Sequence, residues 1–332
     1  MKTRSPSVAI CIPTFNQSDY VAAAVESAIS QFDVQAEVWV SDDASTDGTA
    51  SVLDKFAANP RVFIKRHAVN KGIASNAGWV MSQPRTEFIV RLDSDDMLHP
   101  HYCKNLAFQL KSFPKAAVAH CAVREIDANG ISGRVRRLAR RSGFQKPDEA
   151  LRVAAAGYRV AANICMFRKA ALDNLPYVYE EGLKFCEDWD LYARLAASGW
   201  GNVYYSRVLA NYRVWKDESG LREQRRADEI SGIVHVLGST LLQAWHQRNW
   251  SCAELDAARA QFASAQSAAL GSLKSDSAEF KHLRQLLMVL SNGNSELLDR
   301  QLEQMHSKRF LAKAVNQLNV KCRDFLKAII YH

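Results

Sequence analysis

The sequence predicts an α/β protein: a mixed, mostly parallel sheet flanked by helices, followed by a C-terminal helical appendage. Short β-branched runs alternate with helical patterns through the first half, the signature of strands joined by helical crossovers. Acidic and polar segments follow directly on several of those runs. Beyond about residue 220 glycine and proline nearly vanish, and leucines recur at helical spacing. Residues 1–220 are therefore expected to form one α/β domain and residues 221–332 a helical region.

Val8 to Ile12 and Glu37 to Val40 read as the first strands. Between them Val21, Val25, Ile29 and Phe32 recur at helical spacing and predict an amphipathic helix with one face on the sheet. Val62 to Lys65 and Phe88 to Leu92 give two more strands, and Ala116 to Val123 a fifth. That fifth run leads into Asp127-Ala128-Asn129-Gly130, whose Asn-Gly pair favours a tight hairpin and an antiparallel departure. Leu283, Leu286, Leu287 and Leu290 mark a helix in the appendage, and Lys216 to Arg226 reads as a hinge or as the start of the first appended helix.

At 332 residues the chain is long enough for a full domain and an addition, and a hydrophobic share of 48% is ordinary for a packed protein. No apolar run approaches the roughly 20 residues that cross a bilayer, and Pro13 closes the first one, which argues against a span or a secretory signal. Seven scattered cysteines without C-x-x-C spacing suit thiols, so a reducing, cytoplasmic setting is expected. A formal charge of +8 suits an anionic partner such as a nucleotide or a lipid-linked phosphate. No aromatic-studded basic strand or recognition helix accompanies it, which argues against nucleic acid.

In an open α/β sheet, ligands bind beyond the carboxyl ends of the strands. Here those ends read Pro13-Thr14-Phe15-Asn16, Ser41-Asp42-Asp43-Ala44-Ser45-Thr46-Asp47-Gly48 and Asp93-Ser94-Asp95-Asp96. Crowded carboxylates raise one another's pKa unless a cation neutralises them, so Asp93, Asp95 and Asp96 suggest Mg2+ or Mn2+ completed by diphosphate oxygens. The alternative is that these aspartates cap the next helix, and Asp43 and Ser45 have the same alternative at the helix expected from Ala50.

From Val8 to about Ser219 the chain resembles the family 2 inverting glycosyltransferases of the GT-A fold. The motifs that carry the resemblance are VAICIPTFNQSDYVAAAVESAISQ, VWVSDDASTDGTA, NKGIASNAG, FIVRLDSDDMLHP and FCEDWDLYARLAASG. The resemblance implies transfer of a sugar from a nucleoside diphosphate, UDP by preference, to a hydroxyl acceptor in cell-surface polysaccharide or lipopolysaccharide synthesis. It assigns Pro13, Thr14, Asn16, Asp43, Lys71, Asp93 and Ser94 to the nucleotide and Asp93 and Asp95 to Mn2+ or Mg2+. Asp188, at the start of a helix, falls at the position of the catalytic base, whose task is to take the proton of the incoming hydroxyl. Glu187, Asn163, Arg213 and Trp215 fall at acceptor or sugar positions; for Asn163 and the following Met166-Phe167-Arg168, burial in the core is an equally good reading.

Two departures stand out. Where the family commonly has Tyr-Arg-x-His, this chain has Asn211-Tyr212-Arg213-Val214-Trp215, and tryptophan does not ligate metals. The segment Asn70 to Asn76 is short and lacks the customary arginine, leaving Lys71 to meet phosphate. Arg134, Arg136, Arg137, Arg140 and Arg141 form a cluster that predicts either an anionic glycan or lipid-linked acceptor or a solvated positive face. The stretch from Lys308 to Ile330 reads as a basic amphipathic helix, suited to peripheral contact with the inner face of a membrane or to packing within the protein or a homo-oligomer. A sugar nucleotidylyltransferase would need a glycine-rich loop after the first strand, which Pro13-Thr14-Phe15-Asn16 is not. A catalytically idle scaffold that binds nucleotide sugar is the remaining alternative.

Overall fold

The structure, a computed structural model, describes residues 5–215 and 224–303. The chain divides after residue 219 into two compact units. The strands of the first unit are β1 (Ser7–Thr14), β2 (Gln35–Asp42), β3 (Val62–Arg66), β4 (Phe88–Arg91), β5 (Met97–Leu98), β6 (Ala116–Ile126), β7 (Ser132–Arg136), β8 (Gly143–Gln145), β9 (Cys165–Arg168) and β10 (Gly201–Arg213). They form one sheet in the order β3-β2-β1-β4-β9-β6-β10-β5, with β7 paired to β6 and β8 to β10. The run from β3 to β4 is parallel. β9 enters antiparallel between β4 and β6, and β10 lies parallel to β6.

Helices α1 (Val21–Ile29), α2 (Thr49–Asp54), α3 (Ile73–Ser82), α4 (Tyr102–Ser112), α5 (Pro147–Ala155), α6 (Lys169–Asp173) and α7 (Glu187–Ala197) accompany this sheet. Side chains alternate across β1 and reveal the layers. Val8, Ile10 and Ile12 pack with Val25 of α1 and Leu106 of α4, whereas Ala9 and Cys11 pack with Val80 of α3 and Leu195 of α7. Cover on both faces explains why β1 is an almost unbroken apolar run. Each such buried valine or isoleucine contributes about 1.5–3 kcal/mol relative to an exposed one.

The strands expected at 8–12, 37–40, 62–65, 88–92 and 116–123 correspond to β1, β2, β3, β4 and β6. At the expected hairpin, Asp127 N donates to Ile131 O at 3.1 Å and Gly130 takes φ 79°. Phe32 departs from expectation: α1 ends at Ile29, and Phe32 is 56% exposed. β5, β8 and β9 were not legible because runs of two to four residues carry no measurable period. Met166 and Phe167 are buried in β9, and Arg168 donates to Ala116 O and Leu110 O, which fits the core alternative for this stretch.

The described part of the second unit is helical. Helix α8 (Arg226–His235) continues through a wide turn at Val236–Thr240 into α9 (Leu241–Gln247), followed by α10 (Ala253–Gln266) and α11 (Ala278–Leu290). Leu283, Leu287 and Leu290 are buried, as their spacing predicts, while Leu286 is half-buried. Arg259, itself buried, donates to Val289 O at 2.8 Å and Leu290 O at 3.1 Å, placing a cation on the carbonyl end of α11. The basic stretch at 308–330 and most of the expected hinge at 216–226 lie outside the described residues. Among the described residues no helix is long and apolar enough to cross a membrane. Of the described cysteines, Cys11, Cys103, Cys121 and Cys165 are buried and Cys186 and Cys252 half-buried.

Gly201 opens β10 where β8 crosses it, and a Cβ there would sit 2.2 Å from Gln145 O and 2.5 Å from the Phe144 ring. The obstacle is backbone, which cannot rotate aside. Gly201→Ala is expected to destabilise the first unit by about 3 kcal/mol, measured as a lowered denaturant midpoint.

Candidate active site

The loops after β1 and β2 are fastened to each other. Asn16 adopts φ 52°, donates through its backbone to Ser45 Oγ at 2.8 Å, and accepts from Thr46 N through its side chain at 2.8 Å. Gln17 N donates to Thr49 Oγ1 at 2.8 Å and Ser18 N to Asp47 Oδ2 at 3.1 Å. Ser45, Asp47 and Thr49 therefore organise the loop, and α2 begins after Gly48 with no side-chain cap from Asp43 or Ser45. Pro13 is buried, and Thr14 is 3% exposed with an Oγ1 that lacks a hydrogen-bond partner. An orphaned hydroxyl at the carboxyl end of the central strand is costly unless something else satisfies it.

Asp43 is buried, and both its oxygens are engaged. Oδ1 accepts from Lys71 N at 2.8 Å and Oδ2 from Gly72 N at 2.9 Å. The carboxylate thus holds the loop before α3, and Lys71 meets it through its backbone while its side chain is exposed. Asn76 locks α3 to β2, exchanging hydrogen bonds with Ser41 at 2.6 and 2.9 Å. Beside Lys71, a groove of about 450 Å³ runs between α3 and Tyr177 to Glu181.

The acidic segment after β4 is a turn, with Asp96 N donating to Asp93 O at 3.0 Å. The next long helix, α4, begins only at Tyr102, so these aspartates do not cap it. Ser94 is buried and Asp93 and Asp95 are half-buried. β5 pairs antiparallel with the end of β10 and brings Arg213 beneath the turn. Arg213 donates through Nε to Asp95 O at 3.0 Å and through its backbone to Asp96 Oδ1 at 2.7 Å. Trp215 Nε1 donates to Asp95 Oδ2 at 2.7 Å, its ring edge-on to Tyr20 at 5.2 Å. Burial, together with the charge of Asp93, raises the pKa of Asp95 against the opposing Trp215 hydrogen bond. Burial and the charges of Asp93 and Asp95 raise Asp96 well above the ordinary carboxylate range, and its Oδ2 is buried without a partner.

Asp188 lies in the first turn of α7, after Cys186 in a left-handed conformation at φ 65°. Its partner is Arg91, a buried arginine in β4 that was not singled out from sequence. Arg91 Nε donates to Asp93 Oδ1 at 3.1 Å, while Nη1 meets Asp188 Oδ1, Tyr179 Oη at 3.0 Å and Glu187 Oε1 at 3.4 Å. Tyr179 Oη donates in turn to Asp188 Oδ1 at 2.8 Å. Burial pushes the Asp188 carboxyl up to about 7; Arg91 opposes that rise, and Glu187 and Asp93 add to it. Asp93 and Asp188, on separate elements, thus share one guanidinium. The signal that could have revealed Arg91 was an arginine inside the apolar run FIVRL, since a buried charge requires partners.

The other expected positions are less connected. Asn163 is half-buried in the loop before β9. Of the arginine cluster, Arg134 and Arg136 both bind Glu125 at 2.7 Å, and Arg140 donates to Asn202 Oδ1 at 2.7 Å. These three have partners within the fold, while Arg137 and Arg141 are exposed. Among the described residues no three His, Cys, Asp or Glu side chains are grouped to enclose a metal ion. The acidic turn nevertheless fits a hard cation held mainly by ligand oxygens: it offers oxygen donors, and burial disfavours their uncompensated charge.

A family model described as Glycosyl transferase family 2 matches residues 9–175, half of the chain. The chain belongs to glycosyltransferase family 2. Curated relatives of this family 2 chain include the chondroitin synthase of Escherichia coli, 33% identical over 62% of this chain and 29% of that protein. The hyaluronan synthase of Pasteurella multocida is 31% identical over 71% of this chain and 24% of that protein. The family 2 chain therefore spans less than a third of the length of these relatives. Among solved structures, S. aureus TarS 1–349 in complex with UDP aligns with a TM-score of 0.57 and 16% identity, over 91% of each chain. The mannosyltransferase PcManGT from Pyrobaculum calidifontis, in complex with GDP-Man and Mn2+, aligns at 0.53 and 19% over 88% of each. The fold of the family 2 chain is GT-A, the mixed and mostly parallel sheet expected from sequence.

Asp43→Ala would strand the amides of Lys71 and Gly72. A loss of about 1–3 kcal/mol is expected, with faster hydrogen exchange at those two amides and little change in β6.

Proposed function

We propose that this chain is a metal-assisted, inverting glycosyltransferase that moves a sugar from a nucleoside diphosphate to a hydroxyl of a growing glycan. The observation that carries this is the shared contact of Arg91 with Asp93 and Asp188, which joins the acidic strand end to a carboxylate with a raised pKa. Thr14 Oγ1, lacking a partner, and the loop held by Asp43 support a nucleotide site formed with Pro13, Asn16, Lys71 and Ser94. UDP is the preferred nucleotide, in line with TarS, and the synthases among the relatives favour a polysaccharide product.

Asp93 and Asp95 are the residues that would hold Mn2+ or Mg2+, and Asp95 Oδ2 accepts from Trp215 Nε1. A divalent cation there supplies Lewis-acid stabilisation of the departing diphosphate. Asp188 takes the proton of the acceptor hydroxyl as that oxygen bonds the anomeric carbon from the face opposite the diphosphate, a single displacement that inverts the centre. Proton uptake falls to Oδ2, because Arg91 and Tyr179 both bind Oδ1. Glu187 stays beside it as a second acceptor for Arg91.

A second reading, a catalytically idle scaffold that binds nucleotide sugar, draws support from the Trp215 hydrogen bond that ties up an oxygen of Asp95. Catalysis separates the two. Asp188→Asn is expected to reduce nucleotide release about 10³-fold, and an unchanged cellular phenotype in that variant would favour the scaffold.

Thermal unfolding of the full chain against UDP, GDP and dTDP and their sugars, each with and without MnCl2, tests donor and metal together. One diphosphate is expected to raise the midpoint by about 5 °C only when Mn2+ is present; no shift with any of them removes the nucleotide site. Asp188 is protonated and idle below about 7 and ionised above, so the rate is expected to rise with pH through that value; a flat rate from acid to alkali removes Asp188 as base. Stability carries the opposite sign. The folded chain retains a proton that the unfolded chain has already released, so this group's contribution falls as pH rises from 3.8 to about 7, and Asp188→Asn is expected to abolish that slope.

A further inference from the structure

Arg91 sits where its backbone has least freedom. It pairs with Cys11 of β1 on one side and with Cys165 of β9 on the other, so its Cα is fixed within three adjacent strands. From that anchor the guanidinium divides its donors, with Nε towards Asp93 and Nη1 towards Tyr179, Glu187 and Asp188. A lysine has a single ammonium and cannot span two carboxylates with a planar fork. Tyr179 is fixed by the same cation and adds its own hydrogen bond to Oδ1 of Asp188.

We propose that Arg91 is a positioning residue of the transfer reaction, holding Asp188 ionised and oriented for proton abstraction while tying it to Asp93. This rests on Asp188 being the base. The groups that bear on Asp188 are Arg91 of β4, Asp93 of the acidic turn, Glu187 of its own helix, Tyr179 of the preceding loop, and Cys165 and Tyr158. Arg91 is the cation in this set; the others are acids or are neutral at ordinary pH. Removing it leaves burial and neighbouring negative charge opposed mainly by the Tyr179 hydrogen bond, and Asp188 keeps its proton to higher pH. Removing only the Tyr179 hydroxyl takes away one hydrogen bond and moves the balance less. A buried ion pair that merely stabilises the fold would lower the melting point in either variant without tuning a reaction.

The test follows Asp188 by carboxyl-13C NMR in the full chain labelled at aspartate, with Asp188→Asn giving the assignment. UDP affinity by calorimetry and UDP release from UDP-GlcNAc with MnCl2 are the functional arms. Tyr179→Phe is expected to raise the Asp188 midpoint by about half a pH unit, Arg91→Lys by about one unit, and Arg91→Gln by more. The Lys variant is expected to slow UDP release about 10²-fold while UDP affinity stays within about threefold, because lysine keeps a cation beside Asp93 and leaves the loops at Thr14 and Asp43 in place. The titration needs no substrate, and Arg91→Lys and Tyr179→Phe keep it decisive if Arg91→Gln does not fold. An unmoved midpoint in both, or a loss of UDP affinity matching the loss of rate, overturns the proposal. If the midpoints move as expected but Asp188→Asn releases UDP at the wild-type rate, the assignment of the base fails instead.

Discussion

A buried guanidinium among carboxylates is the constraint on which the site depends. Arg91 occupies a central strand, where an unpaired charge is among the costliest groups a fold can bury. Its stability there requires Asp93, Glu187 and Asp188 to remain within reach, and these come from the turn after β4 and the first turn of α7. The helix must therefore dock with its N-terminus over β4, and Leu191 and Leu195 fix that docking from below by packing against the sheet. Packing and electrostatics enforce the same geometry from opposite ends of α7.

The second organising feature is the return of β10. Bulges near Tyr205 and Val208 let this long strand follow β6 and still meet β5, which puts Arg213 and Trp215 against the acidic turn. The backbone N–H of Arg213 satisfies one oxygen of Asp96, and the guanidinium satisfies the carbonyl of Asp95. The turn is thereby held from beneath while its side chains lie close together. Burial and neighbouring negative charge there raise the carboxyl groups of Asp95 and Asp96 above their ordinary range.

Much of this was legible in the sequence, for physical reasons. Strands covered on both faces announce themselves as apolar runs, and the polar residues at their ends pointed to Thr14, Asp43, Asp93 and Asp95, whereas Asp188 was named by the motif resemblance alone. What escaped was pairing at a distance. Nothing local shows that Trp215 would bind Asp95, or that Arg134 and Arg136 would both pair with Glu125. The sequence resemblance assigns Asp43 to the nucleotide, whereas its hydrogen bonds to Lys71 and Gly72 depend on a loop that only the folded sheet brings alongside. Arg91 was passed over because a strand pattern is read by its apolar members, and the exception carried the information.

The distribution of thiols has a chemical corollary. Four described cysteines are sealed in the core, and burial raises their pKa, which suppresses the nucleophilic thiolate. Cys186 differs in being half-buried and only two residues before Asp188, on a left-handed backbone that starts α7. Among the described cysteines, Cys186 and Cys252 are therefore more open to electrophiles than the interior four, and an adduct at Cys186 would sit at the start of α7, next to the buried carboxylates of Glu187 and Asp188.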